Sequence, residues 1–102
     1  MAKVARSEKT DTINTGHACD TTAKIEGSLQ SKVFVNGKLG AVKGDPIEAH
    51  EILSGSSCVP HSAVVNEGSS KVFFQGIEAA RVGDSADLGE IITGSDDVFA
   101  AG

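Results

Sequence analysis

The sequence contains no tryptophan and no tyrosine, and only four phenylalanines and one methionine among 102 residues. Large side chains are therefore too few to fill a wide core. No apolar run is long enough to cross a bilayer as a helix. The first residues, Met1 to Arg6, lack the apolar stretch of a secretory signal. Nine Lys and Arg are scattered through a chain of formal charge −5, so the basic stripe that nucleic acid requires is missing. There are two cysteines, Cys19 and Cys58, enough for one disulfide. Without a signal segment a cytosolic origin is expected, where thiols stay reduced, and metal ligation then competes well with a disulfide.

Glycine, in contrast, is abundant, at 12 residues. With few helix-favouring runs, this composition points to short strands joined by turns. Such a chain loses much backbone entropy on folding, so something beyond apolar burial is expected to hold it.

The most informative pattern is an internal repeat. Lys32-Val33-Phe34-Val35-Asn36-Gly37 leads through Leu39-Gly40-Ala41-Val42 to Gly44-Asp45. Lys71-Val72-Phe73-Phe74-Gln75-Gly76 leads through Glu78-Ala79-Ala80-Arg81 to Gly83-Asp84. A third copy is divided between the chain ends: Asp97-Val98-Phe99-Ala100-Ala101-Gly102 matches the first half and Lys3-Val4-Ala5-Arg6 the second. Glycine-serine leads precede the copies at Gly27-Ser28, Gly68-Ser69 and Gly94-Ser95. A repeat that begins in its second half and ends in its first predicts three lobes around an axis, with the chain ends meeting. Each unit reads as strand, turn and strand. Asn36-Gly37 is a strong two-residue hairpin signal and Gln75-Gly76 a weaker one, because both turn positions need positive φ. The stretches Asp11 to Ile25 and Asp45 to Val64 read as irregular loops.

Those two stretches hold His17, Cys19, His50, Cys58 and His61, which are all the histidines and cysteines present. Imidazole and thiolate suit zinc in a closed tetrahedral structural site, with iron the lesser alternative. In Cys58-Val59-Pro60-His61 the two-residue gap would let one turn present two ligands. Five candidates exceed four places. Cys19 is set aside because it lies only two residues from His17, where an extended chain would crowd both onto one side. The expected ligands are therefore His17, His50, Cys58 and His61. Glu48 and Glu51 flank His50, which keeps a zinc hydrolase as a lesser reading, although both are more simply solvated charges. The recurring Gly-Ser pairs lack the strand-elbow-helix setting of a nucleophilic serine.

With Val33-Phe34-Val35-Asn36-Gly37 leading to Gly44-Asp45, Glu78-Ala79-Ala80-Arg81-Val82-Gly83-Asp84, and Ile91-Ile92-Thr93-Gly94-Ser95-Asp96-Asp97-Val98-Phe99, the chain resembles the PAAR-repeat proteins over essentially its whole length. The Pro-Ala-Ala-Arg signature reads Glu78-Ala79-Ala80-Arg81 in one copy and is largely lost at Leu39-Gly40-Ala41-Val42 in the other. The resemblance implies an all-β cone with pseudo-threefold symmetry, one domain over residues 1–102, and a metal near its apex held by three histidines and one cysteine. It implies a non-enzymatic tip, one copy per trimer, that caps and sharpens the trimeric β-helical spike of a phage tail or type VI secretion apparatus. Such a tip touches the target membrane transiently and binds no nucleic acid. The expected location is a virion tail tip, or the bacterial cytoplasm before delivery. No toxin domain is expected beyond the repeats. A free-standing zinc-binding adaptor is the competing reading.

Overall fold

The computed structural model describes residues 1–102. Its regular elements are all strands: β1 (Ala2–Lys3), β2 (Thr12–Asn14), β3 (Thr22–Lys24), β4 (Phe34–Val35), β5 (Lys38–Leu39), β6 (Pro46–Ser54), β7 (Ser57–Val64), β8 (Phe73–Phe74), β9 (Ile77–Glu78), β10 (Ser85–Ala86), β11 (Gly89–Ile91) and β12 (Phe99–Ala100). The all-β architecture expected from the sequence is therefore the one found, in a body of 41 × 23 × 22 Å.

Three basal hairpins form its lower end. β4 pairs with β5, β8 with β9, and β12 with β1, so the third hairpin joins the two ends of the chain. The turns have the left-handed backbone that the Asn36-Gly37 pair predicts, with φ of 53° and 80°. Gln75-Gly76 adopts the same turn, with φ of 53° and 79°. Gln75 tolerates this strained conformation while its side-chain oxygen accepts the Ser31 N–H at 2.7 Å from the neighbouring lobe.

Above the hairpins the three lobes meet in a closed backbone cycle. Ala5 N–H donates to Ala80 C=O, Ala80 N–H to Ala41 C=O, and Ala41 N–H to Ala5 C=O, each at 2.9 Å. All three alanines are fully buried. Matching bridges link Val4 with Arg81, Arg6 with Gly40, and Val42 with Ala79. The pseudo-threefold axis inferred from the repeat runs through this cycle. A side chain larger than methyl on all three residues would push the lobes apart.

The lobes are equivalent in backbone but not in side chains. Phe74 lies where the other hairpins carry Val35 and Ala100, and Gly40 lies where they carry Ala79 and Val4. The exchange is complementary: a Cβ on Gly40 would meet Phe74 Cε2 at 2.6 Å. The leads differ as well. The hydroxyl oxygens of Ser69 and Ser95 accept the N–H groups two and three residues ahead. In the first lobe the buried Gln30 does this for Lys32 and Val33, at 2.9 and 2.8 Å. Ser28, which the sequence aligns with the other two serines, instead donates to Gly40 C=O.

Above the alanines, each lobe turns on a buried aspartate. Asp11, Asp45 and Asp84 accept the N–H of Arg6, Val42 and Arg81 respectively. Arg6 and Arg81 also clamp their aspartates through two guanidinium nitrogens. Val42 cannot, so Asp45 has no cation beside it and is held chiefly by backbone donors, at Val42 and at Leu29 (2.7 Å). Burial is the main cause of a pKa for Asp45 pushed up to about 6, against partial compensation by those donors.

Three upper hairpins continue from these turns: β2 with β3, β6 with β7, and β10 with β11. Each borders the next, through Ile25–Ile47, Val65–Ala86 and the β11–β2 pairing. Ile13, Ile25, Ile47, Val65, Ala86 and Ile91 point inward into one buried cluster, where they meet as cross-strand pairs between neighbouring lobes. The segments read from sequence as loops are therefore strands in part, and β6–β7 is the longest hairpin. Its strands escaped detection because a register shift between Ile47 and His50 breaks the period of two, and because polar residues occupy both faces. Pro60 is tolerated in β7 because its partner Glu51 turns its N–H and C=O toward Asp20, so the pair forms no ladder bond.

Two outcomes follow from this packing. Gly40→Ala should cost roughly 1–3 kcal/mol in thermal or denaturant unfolding, and adding Phe74→Val should recover part of the loss. Folded Asp45 binds its proton more tightly than the unfolded chain, whose carboxyl titrates near 3.8. Its contribution is complete below about pH 4 and is lost as pH rises through about 6. The stability difference between the native chain and Asp45→Asn should therefore change across that window by up to about 3 kcal/mol, and a flat difference would refute the assignment.

Candidate metal site

The three upper hairpins bring His17, His50, His61 and Asp87 together. His17 follows β2 in the first upper turn, His50 and His61 face each other across β6 and β7, and Asp87 occupies the turn between β10 and β11. Every lobe therefore contributes to the cluster. The imidazole centroids lie 5.1, 5.2 and 6.2 Å apart. All three Nε2 atoms point at one carboxylate: His17 at 2.9 Å and His61 at 3.3 Å from Asp87 Oδ1, and His50 at 2.7 Å from Oδ2.

The local chain geometry fixes these directions. His17 N–H donates to Thr15 Oγ1 and Gly16 N–H to Asn14 Oδ1, which curls the loop after β2. Gly16 has φ of 75°, and a Cβ there would strike Leu88 backbone at 2.7 Å, so this glycine lets the loop lie against the third lobe's turn. Asp87 has φ of 55°, a left-handed position that aspartate tolerates. Asn66 Nδ2 donates to Asp87 C=O and steadies the turn.

The electrostatics are those of one anion shared by three bases. Burial opposes charge on His50, but the Glu48 carbonyl and Asp87 outweigh it, and the pKa is raised. Burial also opposes ionisation of Asp87, yet hydrogen bonds from the three histidines hold its pKa below the ordinary value. His50 Nδ1 donates to Glu48 C=O at 2.9 Å, so Nε2 needs a second proton to reach Asp87. A metal cation would take the place of that proton, and the Glu48 carbonyl would orient the ring as outer-shell partners do. His17, His61 and Asp87 offer ligand atoms within 4.8 Å of one another. His50 Nε2 lies outside that group, against the other carboxylate oxygen; were it to join, three nitrogens and a carboxylate oxygen would be a donor set that zinc or iron accepts.

Of the four residues expected as ligands, the structure brings three together and separates the fourth. Cys58 is bonded to Cys19 in a disulfide, with Cα atoms 6.0 Å apart, so neither sulfur is offered to the histidines. The expectation of reduced thiols, with Cys19 spare, gives way to this link. The cause is strand geometry. Cys58-Val59-Pro60-His61 is not a turn but part of β7, and residues three apart in a strand face opposite sides. Cys58 pairs with Leu53 and His61 with His50 on alternate faces. Asp87 was missed because carboxylates are common and carry no spacing signal. The repeat held the clue: the third upper turn has no His or Cys, and Asp87 is the one carboxylate between Asp84 and Glu90. Glu48, considered as an acid or base, is occupied by the Lys24 N–H at 2.8 Å.

A family model described as PAAR motif matches residues 15–89 of the 102. No curated protein matches the chain.

Asp87→Ala should weaken zinc binding by roughly 10- to 100-fold in chelator competition, while Cys58→Ser should leave metal stoichiometry unchanged. Loss of metal from Cys58→Ser with Asp87→Ala unaffected would restore the cysteine to the ligand set.

Proposed function

The chain belongs to the PAAR-motif family, and on that premise we propose that it caps and sharpens the trimeric β-helical spike of a contractile injection machine, in a phage tail or a type VI secretion apparatus. The observation that supports this reading most directly is the closed cycle through Ala5, Ala80 and Ala41, by which one chain acquires a near-threefold end. A trimeric β-helix ends in three equivalent surfaces with unpaired strand edges. An end of matching symmetry can cover all three at once and remove edges that invite aggregation. One copy then suffices per trimer.

The rest of the body suits the opposite task. Three basal hairpins give way to three upper hairpins, of which only β6–β7 extends for eight or nine residues per strand. That hairpin therefore runs on beyond the other two upper hairpins and suits the pointed end. In this reading His17, His50 and His61 hold a metal, with Asp87 as the fourth ligand, and zinc is the leading candidate. The ion supplies no reaction: it ties three separate hairpins to one point, so that binding energy becomes folding energy on the order of 10 kcal/mol. The Cys19–Cys58 disulfide ties the first upper turn to β7 a second time. These ties keep the narrow end in shape under load as it contacts a target membrane. We assign the chain no catalytic role.

The test pairs metal analysis with capture. The purified chain should contain about one metal per molecule, and should be retained by the trimeric spike protein of the same injection machine at one chain per trimer. Retention by a monomeric zinc-dependent partner, with none by the trimer, would favour the adaptor reading instead. A metal-free chain that the trimer does not retain would overturn the proposal.

A further inference from the structure

The end of the molecule away from the histidines exposes three phenylalanines. Phe34 is 60 % exposed, Phe73 52 % and Phe99 44 %. They hold one position in the three basal hairpins, as the first residues of β4, β8 and β12. Each follows a half-buried valine (Val33, Val72 or Val98) and precedes a buried residue (Val35, Phe74 or Ala100). Strand alternation therefore turns all three rings outward. The pseudo-threefold axis places them at one height around the molecule.

Other exposed apolar residues do not repeat in this way. Ile92 corresponds to Glu26 and Asn66 in the other lobes, and Val64 to Lys24 and Glu90. The charges beside the phenylalanines do not repeat either: Lys32 and Lys71 have Asp97 as their third counterpart.

The buried residue after each phenylalanine diverges freely, whereas the half-buried valine before it is kept in all three lobes and packs on the core. Val35, Phe74 and Ala100 differ in volume, and Gly40 compensates for Phe74. Folding thus accepts differences between lobes even where packing is tight. It places no demand for phenylalanine at an outward position, where a polar residue would preserve the strand and improve solubility. Packing accounts for the retained valines, but not for the same ring at three outward positions, which is explained by a demand from outside the chain. A homotrimer presents three identical surfaces about its axis, and a single chain that meets it must offer one anchor three times.

We propose that Phe34, Phe73 and Phe99 form the docking ring for the threefold end of a trimeric protein, each ring filling an equivalent apolar pocket on that end. The proposal rests on the spike-tip reading and names the face that this reading uses. Buried aromatic anchors of this kind dominate the energetics of interfaces. A second copy of the chain fits the ring poorly, because a twofold contact cannot use three equivalent anchors equally.

The experiment measures affinity for the trimeric spike protein by native and variant chains, with thermal unfolding as the control for folding. Phe34→Ser, Phe73→Ser and Phe99→Ser should each weaken binding by about 10-fold or more and the triple variant should abolish it. Ile92→Ser, at an exposed position whose counterparts Glu26 and Asn66 are polar, should bind as the native chain does. Hydrogen exchange on the native complex provides a reading independent of variant folding, and should show protection in 33–39, 72–78 and the two chain ends. Native binding with unaltered affinity in folded Phe variants, or protection confined to the histidine end, would overturn the docking ring and leave the spike-tip reading standing. No binding by the native chain would remove both. A native chain that self-associates through the phenylalanines and ignores the trimer would also overturn it.

Discussion

The rest of the molecule depends on three backbone hydrogen bonds around an axis. Ala5, Ala41 and Ala80 each give one N–H to a neighbouring lobe and accept one in return. The cycle closes only if residues near the start of the chain stand beside residues from its middle and end, which is why β1 must pair with β12. It also requires small side chains, since three backbones approach one line. Once it is closed, the basal hairpins splay outward on one side and the upper hairpins rise on the other. The position of every functional residue follows from that division.

The apolar groups gathered by this arrangement are modest. There are two clusters of mostly aliphatic residues, one of which contains the three axial alanines, and Phe74 is the single buried phenylalanine. Polar groups inside the body hold much of the structure instead. Buried aspartates organise the three turns, and Ser69, Ser95 and Gln30 fasten the leads. No buried side-chain nitrogen or oxygen lacks a partner, as a polar interior requires. Asp45 is the imperfect case: it keeps its backbone donors but has Val42 where the other lobes supply an arginine, and its raised pKa expresses that loss. A glycine-rich chain with this interior benefits from covalent or metal ties, and the disulfide and the histidine cluster lie in the part farthest from the axial cycle.

The lobes were legible in sequence because a repeat survives side-chain drift. Lys-Val-Phe, the turn glycine and Gly-Asp preserved register even where the inward residue changed from Val35 to Phe74. The second-half match of Val4-Ala5-Arg6 to Ala79-Ala80-Arg81 located the axis itself. The exchange of Ser28 for Gln30 was hidden, because two extra residues in the first lead shift the acceptor while leaving the Gly-Ser pair intact. The long hairpin was hidden as well, since neither β6 nor β7 alternates cleanly between apolar and polar residues. That omission produced the error over Cys58. Read as a turn, Cys58 and His61 converge; as a strand they diverge, and the sulfur meets Cys19 instead.

The two ends of the molecule obey different rules, and the difference is itself informative. At the basal end the exposed phenylalanine is the same in all three lobes, although the buried residue that follows it is Val35, Phe74 or Ala100. At the other end the lobes share almost nothing: one supplies His17 from a loop, one supplies His50 and His61 from facing strands, and one supplies Asp87 from a tight turn. A surface that meets a symmetric partner must be repeated, because each copy faces the same chemistry. A site closed around one point has no such requirement, since a single ion needs four donors of suitable type and three lobes cannot divide four ligands evenly. Symmetry at the base with asymmetry at the apex is therefore what a single chain requires when one end matches a trimer and the other converges on a point.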